Sequence, residues 1–201
     1  KNLFIDGFKE LIKYPNTIGY TIISGFVMGS FMVYLSSSQQ VFQDQYFLKE
    51  EFPYIFAGLA ISMGLAIFLN GILVMKLGMK KIINFSMLGF MLVSLTYVLL
   101  FSQTKNPSIE VLLLFFAAQF FTIGFLFGNL RAMAMQPVGH IAGIASAITG
   151  LISTLMAVFI SVFIGRYVTD TVLPLFIGFF VCSICSIFII IYLSKINKKN
   201  S

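Results

Sequence analysis

Long apolar stretches alternate with short polar connections along this chain. Six of them, 17–35, 52–75, 82–101, 111–130, 140–164 and 171–193, are 19 to 25 residues long, and none contains Asp, Glu, Lys or Arg. About 20 apolar residues carry a helix across the hydrocarbon core of a bilayer, so each stretch predicts a spanning helix. The fold class that follows is all-α: a polytopic membrane protein with six transmembrane helices. Ahead of the first span, Phe4, Phe8, Leu11 and Ile12 recur at helical spacing, with Asp6, Lys9, Glu10 and Lys13 between them. That pattern predicts a short amphipathic helix lying on the membrane surface, ended by Pro15, which starts the first span.

Composition removes the soluble alternative. Hydrophobic residues fill 59% of 201 positions and charged ones 10%, against about a quarter charged in soluble domains. The charges are also sorted. Taking alternate connections, one side carries ten basic residues (Lys1, Lys9, Lys13, Lys76, Lys80, Lys81, Arg131, Lys195, Lys198, Lys199) and the other three (Lys49, Lys105, Arg166). Basic residues stay on the cytoplasmic side, which places both termini in the cytoplasm and the chain in the inner cell membrane. Residues 1–16 then read as a cytoplasmic amphipathic linker, 17–194 as the six-helix transmembrane domain and 195–201 as a cytoplasmic basic tail. The net charge of +6 reports this orientation, so the partner it implies is the lipid bilayer and no nucleic acid.

Local patterns refine the spans. In 129–150, small residues recur every four positions, Gly139, Gly143 and Ala147 on one line and Ala142, Ser146 and Gly150 on the next, after a turn at Pro137. Such lines make a smooth ridge that lets another backbone come close, and in lipid packing drives helix association; two tightly packed helices are expected here. The connection 70–81 reads as a tight cytoplasmic turn. Its Gly71 and Gly78 allow sharp bending, Gly78 with a positive φ, while Lys76, Lys80 and Lys81 meet anionic headgroups and helix dipoles. The stretch 34–46, rich in Ser and Gln, is a solvated helix end or lines water at an external mouth.

Polarity within the spans is uneven. The fourth span holds Gln119, Thr122 and Asn129, the fifth Thr149 and Ser153, the second Asn70. A buried amide costs free energy unless paired, so Gln119 and Asn70 either bond between helices or line a polar cavity. With Tyr20, Ser24, Phe31 and Tyr34 of the first span, these residues are the candidates for a cavity suited to lipophilic small molecules. His140, the only histidine, sits at a helix start where the dipole disfavours its charged form, and reads as a structural hydrogen bonder rather than a proton relay. Arg131 either anchors to phosphates and carbonyls or gates the cytoplasmic side. Cys182 and Cys185 have no second ligand pair, and no nucleotide loop, metal cluster or catalytic constellation is present in the sequence, so no enzyme activity, metal or cofactor is expected.

Two of these stretches carry a family resemblance. From Gly128-Asn129 through Met135-Gln136-Pro137-Val138-Gly139-His140-Ile141-Ala142-Gly143 to Gly150, the chain resembles the junction of helices ten and eleven in the Bcr/CflA branch of the major facilitator superfamily. The connection 70–81 resembles the superfamily's signature cytoplasmic loop in its degenerate second copy, with Met75 at the usual acidic position and Met79 at a usual basic one. The resemblance implies the C-terminal half of a twelve-helix, proton-coupled drug exporter, spans one to six standing for helices seven to twelve. It also implies that spans one, two, four and five face a central cavity, and that protons, a small-molecule substrate and an N-terminal six-helix half are the partners. The coupling acids would lie in that half. The chain does not begin with Met, in keeping with a fragment; the alternative is a stand-alone six-span protein acting as a homodimer or structural subunit.

Overall fold

The computed structural model describes residues 3–103 and 106–199. It is built of α1 (Leu3–Ile12), α2 (Pro15–Gln39), α3 (Phe52–Leu77), α4 (Met79–Phe101), α5 (Ile109–Met135), α6 (Ala142–Gly165) and α7 (Leu173–Lys199). A π-helical segment, Gln40–Gln45, prolongs α2, and a 3-10 segment, Gln136–Ile141, joins α5 to α6. Among the described residues no strand occurs, as expected of backbone in lipid that must satisfy its own hydrogen bonds. Among the described residues five continuous helical segments are long and apolar enough to cross a membrane. One of them, Ile109–Gly165, folds back at its 3-10 segment, where Pro137 interrupts the helix and Val138 takes φ −117° and ψ 25°, and so holds both α5 and α6. Between α3 and α4 the reversal falls on one residue: Gly78 has φ 77° and donates its N–H to the Val74 carbonyl, a backbone that glycine adopts without steric cost.

Pairings between helices fix their directions. Tyr34 of α2 meets Phe116 and Phe120 of α5, while Gly25 and Gly29 of α2 face Met156 and Ile160 of α6. The α2–α6 pair is therefore parallel and α5 runs against both. The main packing pairs are α2–α6, α3–α5, α4–α5, α2–α7, α4–α7 and α2–α5. Exchanging α2 with α5, α3 with α6 and α4 with α7 maps this set onto itself with the direction of every helix reversed. The architecture is thus two inverted three-helix units, although no residue-by-residue repeat is visible in the sequence.

The two equivalent seams, α2–α6 and α3–α5, are closed in the same way. A Cβ at Gly29 would lie 2.8 Å from the Ile160 Cβ, and one at Gly124 would lie 2.6 Å from the Met63 carbonyl oxygen. Each seam also holds a serine on the outer helix donating to the inner helix's backbone: Ser153 to the Thr21 carbonyl at 3.0 Å, and Ser62 to the Ala117 carbonyl at 2.7 Å. Away from the seams, Tyr97 of α4 and Phe176 of α7 stack with ring centroids 3.7 Å apart.

Here the small-residue ridge of α6 needs correcting. Tight packing is present, but α6 uses its opposite face, Ala145, Ile148, Ser153 and Ala157. Within 4 Å of a Cβ built at Gly139, Gly143 or Gly150 there is nothing. The close approach is made instead by the glycines of α2. Segment ends shift as well. Pro15 and Asn16 belong to α2, and α7 continues through 195–199, with Asn197 and Asn16 exchanging two amide hydrogen bonds at 3.2 Å.

Both ends of the bundle are tied by polar contacts. At the end carrying Lys76, Lys80 and Lys81, here called the basic end, α1 docks on α6 through Leu11, buried against Val138, Ala145 and Ile148. Glu10 bonds Lys13 at 2.7 Å, which holds its carboxyl below the usual range, and lies 3.7 Å from the His140 Nε2. At the opposite end, Asn106 donates to the Gln45 side chain and accepts from the Val172 N–H, both at 2.9 Å, while Gln45 donates to the Thr169 carbonyl. One asparagine thereby joins all three connections at that end.

The seams predict a sharp contrast among glycines. Gly29→Ala and Gly124→Ala overpack their interfaces and should each destabilise by about 1–3 kcal/mol. Gly143→Ala, facing open space, should be neutral or slightly stabilising, by up to about 1 kcal/mol. Unfolding midpoints of the detergent-solubilised protein test this, and equal losses at all three positions would remove the seam model.

Candidate binding cavity

A cavity of about 540 Å³ lies where α5 and α6 diverge from their turn and α2 wedges between them. Its α2 wall is Thr21, Ser24, Met28, Phe31, Met32 and Leu35, one face of the helix read at steps of three and four residues. From α5 come Phe127, Gly128, Arg131 and Ala134, and from α6 Thr149, Gly150, Ser153 and Thr154. The lining is polarised along its length. Thr21, Ser24, Arg131, Thr149 and Ser153 gather toward the basic end, whereas Met28, Phe31, Met32, Leu35 and Phe127 make the far part apolar. From Thr21 to Leu35 the helix rises roughly 21 Å at 1.5 Å per residue.

The hydroxyl protons of that polar part are mostly committed. Thr21 donates to the Thr17 carbonyl, Ser24 to Tyr20, Thr149 to Ala145 and Ser153 to Thr21. Arg131 is the one charged residue of the lining; its guanidinium donates to the Ser146 Oγ at 3.1 Å, and among the described residues it has no carboxylate partner. A second, smaller cavity of about 200 Å³ adjoins through Phe31 and Leu35, walled by Tyr34, Phe56, Phe120 and residues of α3.

Of the residues singled out in the sequence, Ser24, Phe31, Thr149, Ser153 and Gly150 line the 540 Å³ cavity and Tyr34 the 200 Å³ one. Tyr20 is buried in the core. Gln119 and Thr122 lie on the α4 side of α5: Gln119 is fully buried and donates to the Phe90 carbonyl at 3.3 Å, and the Thr122 methyl packs toward Gly89. Asn129 and Asn70 pair across the α3–α5 seam at 2.6 Å, Asn129 also donating to the Phe125 carbonyl. These amides bond between helices. Gly71 is exposed within α3, and Lys76, Gly78, Lys80 and Lys81 are exposed around the α3–α4 turn; Gly143 and Ala147 are exposed along α6, while Gly139 is exposed and Pro137 sits in the 3-10 turn between α5 and α6. Thr21, Met28, Met32 and Phe127 are cavity residues that sequence reading missed. For Thr21, Met28 and Met32 the signal was the register of α2, since each falls on the face already marked by Ser24 and Phe31; Phe127 comes from α5.

Two helices each leave one side bare. α3 has only Leu59 and Ala66 buried, and α6 exposes Gly143, Ala147, Leu151, Thr154 and Val158 along one side. Both flank the cavities, which open beside these free faces.

Over 147 residues, 71% of this chain, the sequence is 28% identical to an uncharacterized MFS-type transporter, YdgK, of Bacillus subtilis (strain 168). The likeness supports the major facilitator superfamily. This chain matches 35% of the length of that relative. No family model and no solved structure matches it. The apolar helices together with the superfamily likeness describe a multi-pass membrane protein, and a transporter role in general is supported.

Placement separates two kinds of mutation. Gln119→Leu removes a bond to α4 and should change stability by about 1 kcal/mol while leaving ligand binding within about twofold. Gly150→Phe, which fills the cavity from α6, should abolish binding with little effect on folding. Parallel measurements of unfolding and ligand fluorescence decide; a binding defect in Gln119→Leu would return that residue to the cavity.

Proposed function

We propose that this chain forms one six-helix half of a secondary transporter that exports drugs or other small lipophilic compounds in exchange for protons, by alternating access. The observation that carries this reading is the cavity between α2, α5 and α6, set at the junction of two inverted three-helix units and opening beside two unpacked, glycine-bearing helix faces. Inverted repeats with a site at their junction are the common plan of secondary transporters, and rocking of one bundle against another alternates access to it. The free faces of α3 and α6 suit a second six-helix bundle, because small residues let backbones approach closely in lipid. That bundle would complete the cavity and let the small-residue ridge slide as the halves rock.

Orientation follows from charge. With the basic end in the cytoplasm, the cavity's polar part faces the cell interior and its apolar part the outer half of the bilayer. Proton coupling commonly uses a carboxylate or histidine within the membrane. The apolar stretches contain no carboxylate, so the coupling group belongs to the partner bundle in this reading.

Single cysteines at Gly64 and Ala147, with Cys182 and Cys185 replaced by Ser, test the arrangement in the intact protein in native membranes. Crosslinks from both positions should form within one polypeptide, to helices outside this chain. Dye efflux from cells should fall at least tenfold in Gly150→Trp at unchanged expression. Crosslinks only between two copies of a six-helix product would replace this reading with the homodimer, and undiminished efflux in Gly150→Trp would exclude the cavity from transport.

A further inference from the structure

Resting on the cavity reading above, the geometry points to an amphipathic carboxylate as the substrate class: an elongated apolar body carrying one negative charge, its carboxylate held by Arg131. Three observations converge on it. First, Arg131 is the sole charged side chain among the residues lining the cavity, and among the described residues its guanidinium has no anionic partner, only the Ser146 hydroxyl at 3.1 Å. A guanidinium offers five N–H donors in a planar fork shaped for a carboxylate, so most of its capacity is unspent.

Second, four of the five lining hydroxyls, all but that of Thr154, are already engaged as donors. Thr21, Ser24, Thr149 and Ser153 each direct their proton to a backbone carbonyl, which leaves their lone pairs, acceptors that a carboxylate does not need. A neutral amide or alcohol ligand would use those lone pairs. A carboxylate needs donors, and Arg131 supplies them.

Third, the cavity is amphipathic along its length. Beyond the ring of hydroxyls its lining turns to Met28, Phe31, Met32, Leu35 and Phe127, and Phe31 and Leu35 are shared with the smaller cavity beside Tyr34 and Phe56. Methionine and phenylalanine adapt to varied apolar shapes. One ligand therefore has its charge at the basic end and an apolar tail extending along α2. A cationic amphipath in the same pose would set its charge against Arg131.

Binding of matched probes to the intact natural protein in nanodiscs tests this: a fluorescent aryl-alkyl carboxylate, its methyl ester, and the corresponding quaternary ammonium, each corrected for partition into protein-free nanodiscs. The carboxylate should bind at least tenfold more tightly than the ester, and the ammonium more weakly than either. Arg131→Gln should weaken the carboxylate about 10- to 100-fold, the range of a charge-assisted hydrogen bond, and leave the ester unchanged; Arg131→Lys should lose only part. The acid–ester comparison needs no variant, so it decides even if Arg131→Gln fails to fold. Ester or ammonium binding as tightly as the acid, or Arg131→Gln lowering all three equally, overturns the carboxylate assignment while the cavity stands as a site. Binding of no probe, with none displaced by Gly150→Phe, overturns the cavity reading and this inference with it.

Discussion

Helices in lipid gain nothing from hydrophobic burial against each other, so the fold rests on how closely two backbones can approach. In this chain the α2–α6 and α3–α5 seams make that approach at Gly25 and Gly29 and at Gly124, while Gly19 against Leu193 of α7 and Gly178 against Ile164 of α6 make it elsewhere. Serine then bonds one helix to the other's backbone in each seam, Ser153 to Thr21 and Ser62 to Ala117. Such a bond is worth a few tenths to about 2 kcal/mol, but its direction matters more. A side chain that donates to a carbonyl already used within its own helix fixes the depth and rotation of the neighbour without costing the helix a bond.

The two seams also account for which parts of the fold were legible in the sequence. Spans were legible because a bilayer demands about 20 uncharged residues per crossing, and all six appear where the apolar stretches lie. Faces were not. A helix that is apolar on every side carries little periodic signal, so the ridge of Gly139, Gly143 and Ala147 announced close packing without naming a partner, and within this chain it has none. Gly25 and Gly29 of α2 lie four residues apart as well, so spacing alone did not tell the ridge that packs within this chain from the one that does not. Helix ends were also hidden, since a helix satisfies its own backbone past the hydrocarbon; α7 runs on through Lys195 and Lys198.

The candidate site was half legible for the same reason. Ser24, Phe31, Thr149 and Ser153 were found by polarity and aromaticity, and all border the cavity. Gln119 and Asn129 were found by the same rule, yet their amides bond between helices, because an amide in a membrane is costly wherever it sits and its presence alone does not reveal its direction. Arg131 was ambiguous in the sequence, where it closes an apolar stretch. Only the packed helices show it among the residues that line the cavity. The inverted repeat was illegible altogether, since what the two halves share is the pattern of contacts rather than residues.

Asn106 carries a mechanical consequence. By bonding Gln45 and the Val172 N–H at once, while Gln45 reaches the Thr169 carbonyl, it turns three separate connections into a single plate. Loops tied in this way cannot act as independent flaps over the cavity. An opening at that end therefore has to carry the three connections together or break these bonds first.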